Sequence, residues 1–263
     1  MLEIYDRENI TCVEMTAPKM SKVFIFLVDG MLVDTGPQRF EPELIDFYHN
    51  ISFDSVVLTH NHEDHTGTAP WIQENLNVPI YLHPKGIELC FEDTPYPKYR
   101  QLTWGGREPF KPEAVKNTVQ SRNKEWEVIY TPGHANDHIC LLDKQSGTLF
   151  SGDLFVTPKT KVIMKDESIP QIMNSIRTIL TYDIGSIFCC HAGYVPDGKE
   201  KLKQKLAHLE NLYEEIKYLH QKGCSINEIH SKLFPKSYSI ISVSNGEWDS
   251  LHIVTSIVND LRQ

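Results

Sequence analysis

Between Leu58 and Thr68 the chain reads Thr59-His60-Asn61-His62-Glu63-Asp64-His65-Thr66-Gly67, and no other stretch narrows the possible folds as sharply. Three histidines and an aspartate fall within six positions, directly after residues 55–59, which read as a buried strand. Imidazole nitrogens and carboxylate oxygens are the donors that Zn²⁺ and similar first-row divalent ions prefer, so the segment reads as a metal site. In an extended chain side chains alternate faces, so His60 and His62 point the same way and can grip one ion. Asp64 and His65 are neighbours and share a direction only if the backbone turns. Residues 66–70 supply that turn and lead into a helix with Pro70 near its start. The pattern therefore asks for a strand that ends at a rim, then a turn, then a helix.

Three further apolar runs end in the same manner. Residues 126–130 run into Thr131-Pro132-Gly133-His134, residues 148–150 into Ser151-Gly152-Asp153, and residues 186–190 into His191-Ala192-Gly193. A strand, a small-residue turn and a donor, repeated four times, places the donors along one rim of a sheet scaffold rigid enough to hold a site.

In this order His60-x-His62-x-Asp64-His65, then His134, Asp153 and His191, resemble the full ligand set of the metallo-β-lactamase superfamily. Asp34, in Leu32-Val33-Asp34-Thr35-Gly36, resembles the family's first motif. The resemblance implies an α/β chain, an αββα sandwich with a C-terminal helical extension. It implies one divalent ion on His60, His62 and His134, a second on Asp64, His65 and His191, and Asp153 bridging the two. Asp34 is implied to orient ligands without binding metal. Zn²⁺ is the ion expected first, and Fe²⁺ or Mn²⁺ accept the same donors.

The chemistry implied is hydrolysis. Two ions can bridge a water and lower its pKa towards about 7, and the hydroxide so formed attacks a carbonyl or phosphoryl group. Asp64 is expected to be catalytic as proton acceptor as well as ligand. Tyr194, three residues after His191, is either a donor to the oxyanion or an ordinary turn tyrosine. Thr-Pro-Gly-His134 and Ser-Gly-Asp153 are similar to glyoxalase II, which points to thioester, ester or lactone bonds in a small-molecule substrate. His191-Ala192-Gly193-Tyr194 departs from that branch, and glutathione-binding residues are not recognisable. Two alternatives stay open: an endoribonuclease of the lactamase-β-like type, and a mono-iron persulfide dioxygenase. Members that reduce oxygen at two irons place a carboxylate where this chain has His62, and no cysteine holds a ligand position.

The net charge of −9 lies wholly in residues 1–196, because residues 197–263 carry nine basic and nine acidic side chains. Such a surface opposes grip on nucleic-acid phosphates. The six cysteines form no CxxC pair or dense framework. No apolar leader opens the chain and no apolar run is long enough to span a membrane, so a cytoplasmic protein with no membrane partner is expected. The sequence sets no oligomeric state.

The expected organisation is a catalytic domain over residues 1–196 and a helical region over 197–263 that packs on or beside it. A hairpin turns at Asp29-Gly30. Helices are expected over 41–50 and 68–77, with a strand at 79–83 between helical segments. Residues 91–124 and 154–168 read as loops. A long helix over 199–221 carries an apolar stripe and stops at Gly223. A short helix opens at a Ser225-x-x-Glu228 capping box, and a last helix runs over 247–261.

Overall fold

The computed structural model describes residues 1–16 and 22–262. One sheet is laid down in chain order: Leu2–Arg7, Ile10–Thr16, Lys22–Val28, Met31–Val33, Ser55–Val57, Ile80–Leu82 and Glu113–Ala114 lie side by side. Its first four strands pair antiparallel and the rest join in parallel. The expected hairpin is present, and Asp29 and Gly30 both take positive φ, 47° and 78°, as a two-residue type I′ turn requires. The second sheet has the spatial order Gly193–Val195, Ile187–Cys189, Thr148–Gly152, Ile139–Asp143, Glu125–Tyr130 and Thr118–Gln120. Only the pairing of Ile187–Cys189 with Thr148–Gly152 is parallel, and its register breaks between Phe150 and Gly152.

Strand alternation sorts the apolar side chains into three layers. Along Lys22–Val28, Val23 and Ile25 join Leu44, Phe47, Ala69 and Ile72 in the layer under the helices Glu41–His49 and Ala69–Asn75. Phe24, Phe26 and Val28 face the other way and meet Trp126, Leu141, Phe150 and Phe188 between the two sheets. The outer face of the second sheet, with Ile129, Cys140, Leu149 and Ile187, is covered by the helices Ile169–Leu180, Gly198–Gln221, Ile226–Leu233 and Leu251–Asp260. Both faces of both sheets are therefore buried, which explains why residues 23–28 are apolar without a break. The aromatic rings of the middle layer pack closely, Phe26 lying 5.4 Å from Phe150 and 5.5 Å from Phe188. The order of layers is helix, sheet, sheet, helix.

Two segments read as loops carry more structure than expected. Within 91–124 stand the helix Lys98–Trp104 and two short strands. Within 154–168, Ile163–Met164 pairs antiparallel with Trp248–Asp249. That pairing also delays the last helix, which begins at Leu251 because Asp249 Oδ1 accepts the Leu251 N–H at 2.9 Å. An additional helix, Ser239–Val243, precedes it. The long helix ends as expected: Cys224 N donates to the Leu219 carbonyl and Gly223 N to that of His220, with Gly223 at φ +84°. Both hydrogen bonds of the Ser225–Glu228 capping box form. No helix among the described residues is long and apolar enough to cross a membrane.

Candidate metal centre

The parallel strand Ser55–Val57 delivers the histidine-rich segment to the rim. His62 is the N-cap of the four-residue helix Glu63–Thr66, and its carbonyl accepts from the backbone N–H groups of His65 and Thr66 at 3.1 and 3.0 Å. That single turn brings Asp64 and His65 round to the side where His60 and His62 already point. From the second sheet, His134 follows Glu125–Tyr130, Asp153 follows Thr148–Gly152 and His191 follows Ile187–Cys189. Gly152, at φ +46°, is the hinge of the middle arrival. A Cβ there would stand 2.5 Å from His138 Nε2.

The donor atoms gather in two groups. His60 Nε2 lies 3.0 Å and His134 Nε2 3.1 Å from His62 Nδ1. Asp64, His65 and His191 form the other group, with Asp64 Oδ2 3.7 Å from His65 Nε2 and 3.3 Å from His191 Nε2. The Asp153 carboxylate sits between them. Its Oδ2 is 3.4 Å from His134 Nε2 and 3.1 Å from His191 Nε2, and its Oδ1 is 3.6 Å from His65 Nε2. All seven side chains named from the sequence as ligands thus converge, and only His62 and His191 reach the surface.

The rear nitrogens of the rings are anchored. His65 Nδ1 donates to Asp34 Oδ2 at 2.8 Å, and His191 Nδ1 donates to the Lys22 carbonyl at 2.6 Å. His134 Nδ1 faces Glu167 Oε2 at 3.4 Å, and His60 Nδ1 faces the Thr59 hydroxyl at 3.1 Å. Such anchors fix the tautomer, so each of these rings turns Nε2 into the centre. Asp34 is fully buried and accepts four times: from Thr59 N at 2.7 Å, Thr59 Oγ1 at 2.9 Å, His65 Nδ1, and Cys190 Sγ at 3.1 Å. His138 Nδ1 is paired with Thr131 Oγ1 at 2.8 Å, and its Nε2 accepts the Asp153 N–H at 3.0 Å.

Electrostatics favour a bound cation. Burial, with repulsion from neighbouring rings, holds His60 and His62 well below the usual histidine range. Their nitrogens therefore offer lone pairs at neutral pH. Burial also opposes charge on His65, but the carboxylates of Asp64, Asp34 and Asp153 outweigh it and hold that ring up at about 9. Burial works against the Asp153 carboxylate too, yet His191 and His65 keep it well below the usual carboxylate range. His65 Nε2 and Asp153 Oδ1 are buried with no hydrogen-bond partner. Orphaned atoms of this kind cost about 1–3 kcal/mol each. A divalent ion among these all-N/O donors would satisfy them, so the residues fit the metal that the motif implies.

Tyr194 does not join the centre. It lies on Gly193–Val195, opposite Phe188, and its hydroxyl donates to Glu8 Oε1 at 2.6 Å, a carboxylate that also accepts from Ser186. The strand runs away from the rim, so the expected oxyanion donor is instead part of a turn contact. Conversely, Glu167 and Arg100 escaped the sequence reading. Arg100, on the helix Lys98–Trp104, makes a bidentate pair with buried Glu63 at 2.6 and 2.5 Å and reaches Glu247 at 3.1 Å. Neither residue carries a local pattern, since each acts across a long stretch of chain. His83 stacks on Tyr130 with centroids 4.5 Å apart.

Comparison with known proteins bears on the fold and the family. The family model for the metallo-beta-lactamase superfamily matches residues 22–191. The probable metallo-hydrolase YybB of Bacillus subtilis is 31% identical over 138 residues, 51% of this chain and 62% of that protein. The atrochrysone carboxyl ACP thioesterase of Aspergillus fumigatus is 25% identical over 182 residues, 68% of this chain and 52% of that protein. The matches thus span only about half to three-fifths of these relatives' length. Among solved structures, the metallo-beta-lactamase family protein TTHA1429 of Thermus thermophilus superposes with a TM-score of 0.71 at 17% identity, over 97% of this chain and 93% of that one.

Proposed function

Because the chain belongs to the metallo-β-lactamase superfamily, by a match across residues 22–191, we propose that it is a hydrolase that works with two divalent metal ions on a thioester, ester or lactone bond in a small molecule. The observation that carries this reading is the Asp153 carboxylate lying between two groups of donors, each able to hold one ion. His60, His62 and His134 would hold the first ion, and Asp64, His65 and His191 the second. Zn²⁺ suits the all-N/O donor set best. The acyl-thioester relative supports a carbonyl substrate, and the −9 carried by residues 1–196 speaks against nucleic acid.

Bound ions would supply Lewis acidity, acidifying a water molecule and polarising the carbonyl. The protein's own groups supply the rest. Burial opposes charge on Asp64, but His65 and His191 hold its carboxyl below the usual range, so it is ionised at neutral pH and offers its lone pairs to a cation. Asp34, Glu167 and the Lys22 carbonyl keep the rings oriented. Substrate approaches where His62 and His191 meet solvent, beside the Trp104 ring, 6.4 Å from that of His191.

Two measurements test the reading together. Metal analysis of the purified chain is expected to give close to two divalent ions, with removal by chelator abolishing turnover and Zn²⁺ restoring it. A side-by-side screen of acyl thioesters, lactones and a labelled single-stranded RNA is expected to show acyl hydrolysis alone. RNA cleavage without acyl hydrolysis, or one iron per chain with oxygen consumed on persulfides, would replace the proposal with the corresponding alternative.

A further inference from the structure

Lys205 stands out on the long helix Gly198–Gln221. It shares the buried face with Leu202 and Leu209, and only 5% of it is exposed. Its Nζ donates to the carbonyls of Leu154 and Phe155, both at 2.8 Å. A buried ammonium whose named partners are neutral carbonyls is strongly disfavoured by desolvation. Burial lowers its pKa to about 8, so it is still mostly charged at neutral pH. What it holds in place is the peptide run directly after Asp153.

That run is fixed at each end. Gly152 takes a left-handed turn, the Asp153 N–H donates to His138 Nε2, and the Leu154 N–H donates to the Ser151 carbonyl at 3.0 Å. Lys205 then ties down the next two carbonyls from the outer layer. His138 in front and Lys205 behind thus tie down the backbone on both sides of the Asp153 side chain. The carboxylates of Glu167 and Asp153, which favour the charged ammonium, are the two that face His134.

We propose that Lys205 is a positioning residue for Asp153, and that through it the helix Gly198–Gln221 sets the geometry of the metal centre. The proposal rests on the two-ion reading above. It assigns to the C-terminal region a part in the site that packing alone does not require.

The test compares Lys205→Met with Leu209→Ala, which removes packing one turn along the same face and leaves both hydrogen bonds. Zn²⁺ affinity is measured by competition with a chromophoric chelator, and the centre is viewed by the visible spectrum of the Co²⁺-loaded chain. Lys205→Met is expected to weaken retention of at least one ion by about 10–100-fold, to alter the Co²⁺ spectrum, and to lower kcat with KM within about twofold. Leu209→Ala is expected to lower Tm and leave affinity and spectrum unchanged. Lys205→Gln serves the same measurements, with the same two readings, if the methionine variant does not fold. Wild-type affinity in the Lys205 variant, or an equal loss in Leu209→Ala, overturns the proposal alone. A wild-type chain that binds neither ion overturns the two-ion reading and this proposal with it.

Discussion

Asp34 shows how closely single residues are constrained around the centre. Its two oxygens receive four hydrogen bonds, and its backbone sits at φ +59°, a conformation that asparagine also tolerates. Asp34→Asn therefore keeps the backbone and replaces one acceptor with a donor. His65 would have to move its proton to Nε2, where the lone pair faces the centre. The expected result is 10–100-fold weaker metal retention, read as ions left per chain after dialysis against a chelator. Asp137 offers a pH-dependent case. It is buried, and burial raises its carboxyl to about 6. A carboxyl whose folded pKa lies above its unfolded value contributes stability at low pH that is lost as pH rises through about 6. Relative to Asp137→Asn, the metal-free wild type is expected to lose about 1–3 kcal/mol between pH 4 and pH 8, measured by denaturant unfolding at both pH values. Of these residue-scale details, the sequence displayed the donors and, through the family resemblance, Asp34. Which nitrogen each ring turns inward depends on Lys22, Thr59 and Glu167, whose spacing from the motifs follows no rule.

At the scale of elements, the helix Lys98–Trp104 is tied down by Arg100. The guanidinium joins Glu63, inside the histidine motif, to Glu247, near the last helix, and neither member of the Arg100–Glu63 pair is more than 13% exposed at its side chain. Removing one partner of such a pair strands the other charge. Arg100→Met is expected to destabilise the fold by about 3–5 kcal/mol, and Arg100→Met with Glu63→Leu to recover most of that loss. Denaturant unfolding of both variants checks it, and a double variant as unstable as the single would show that the pair is not the cause. Elements with a local signal were readable from the residues: the Asp29-Gly30 turn, the Ser225 capping box and the Gly223 stop. The helix Lys98–Trp104 was not. It buries only Trp104, so no apolar stripe marks it. The two-residue strands Ile163–Met164 and Trp248–Asp249 are defined only by their pairing with each other.

For the whole molecule, the outer apolar layer decides how separable its parts are. Leu202, Leu209, Ile216, Ile253 and Ile257 pack in one cluster with Ile129, Cys140, Leu149 and Ile187 of the second sheet. A chain ending at residue 196 would keep only the helix Ile169–Leu180 over that face and expose the rest of the cluster. It is expected to lose cooperative unfolding and to aggregate, as followed by circular dichroism and light scattering; a monomeric chain with a sharp transition would instead establish residues 1–196 as an independent unit. The stripe on the long helix was legible as apolar, but Lys205 within it was not legible as buried, because a lysine in a heptad-like stripe ordinarily reaches solvent.

The two sheets contribute different halves of the centre. His60, His62, Asp64 and His65 come from the first sheet, and His134, Asp153 and His191 from the second, with the aromatic layer of Phe26, Phe150 and Phe188 between the sheets. Each proposed site draws donors from both halves, so a chain whose halves have not docked in register would offer neither site complete. Ions held as proposed would staple the two halves together against sliding.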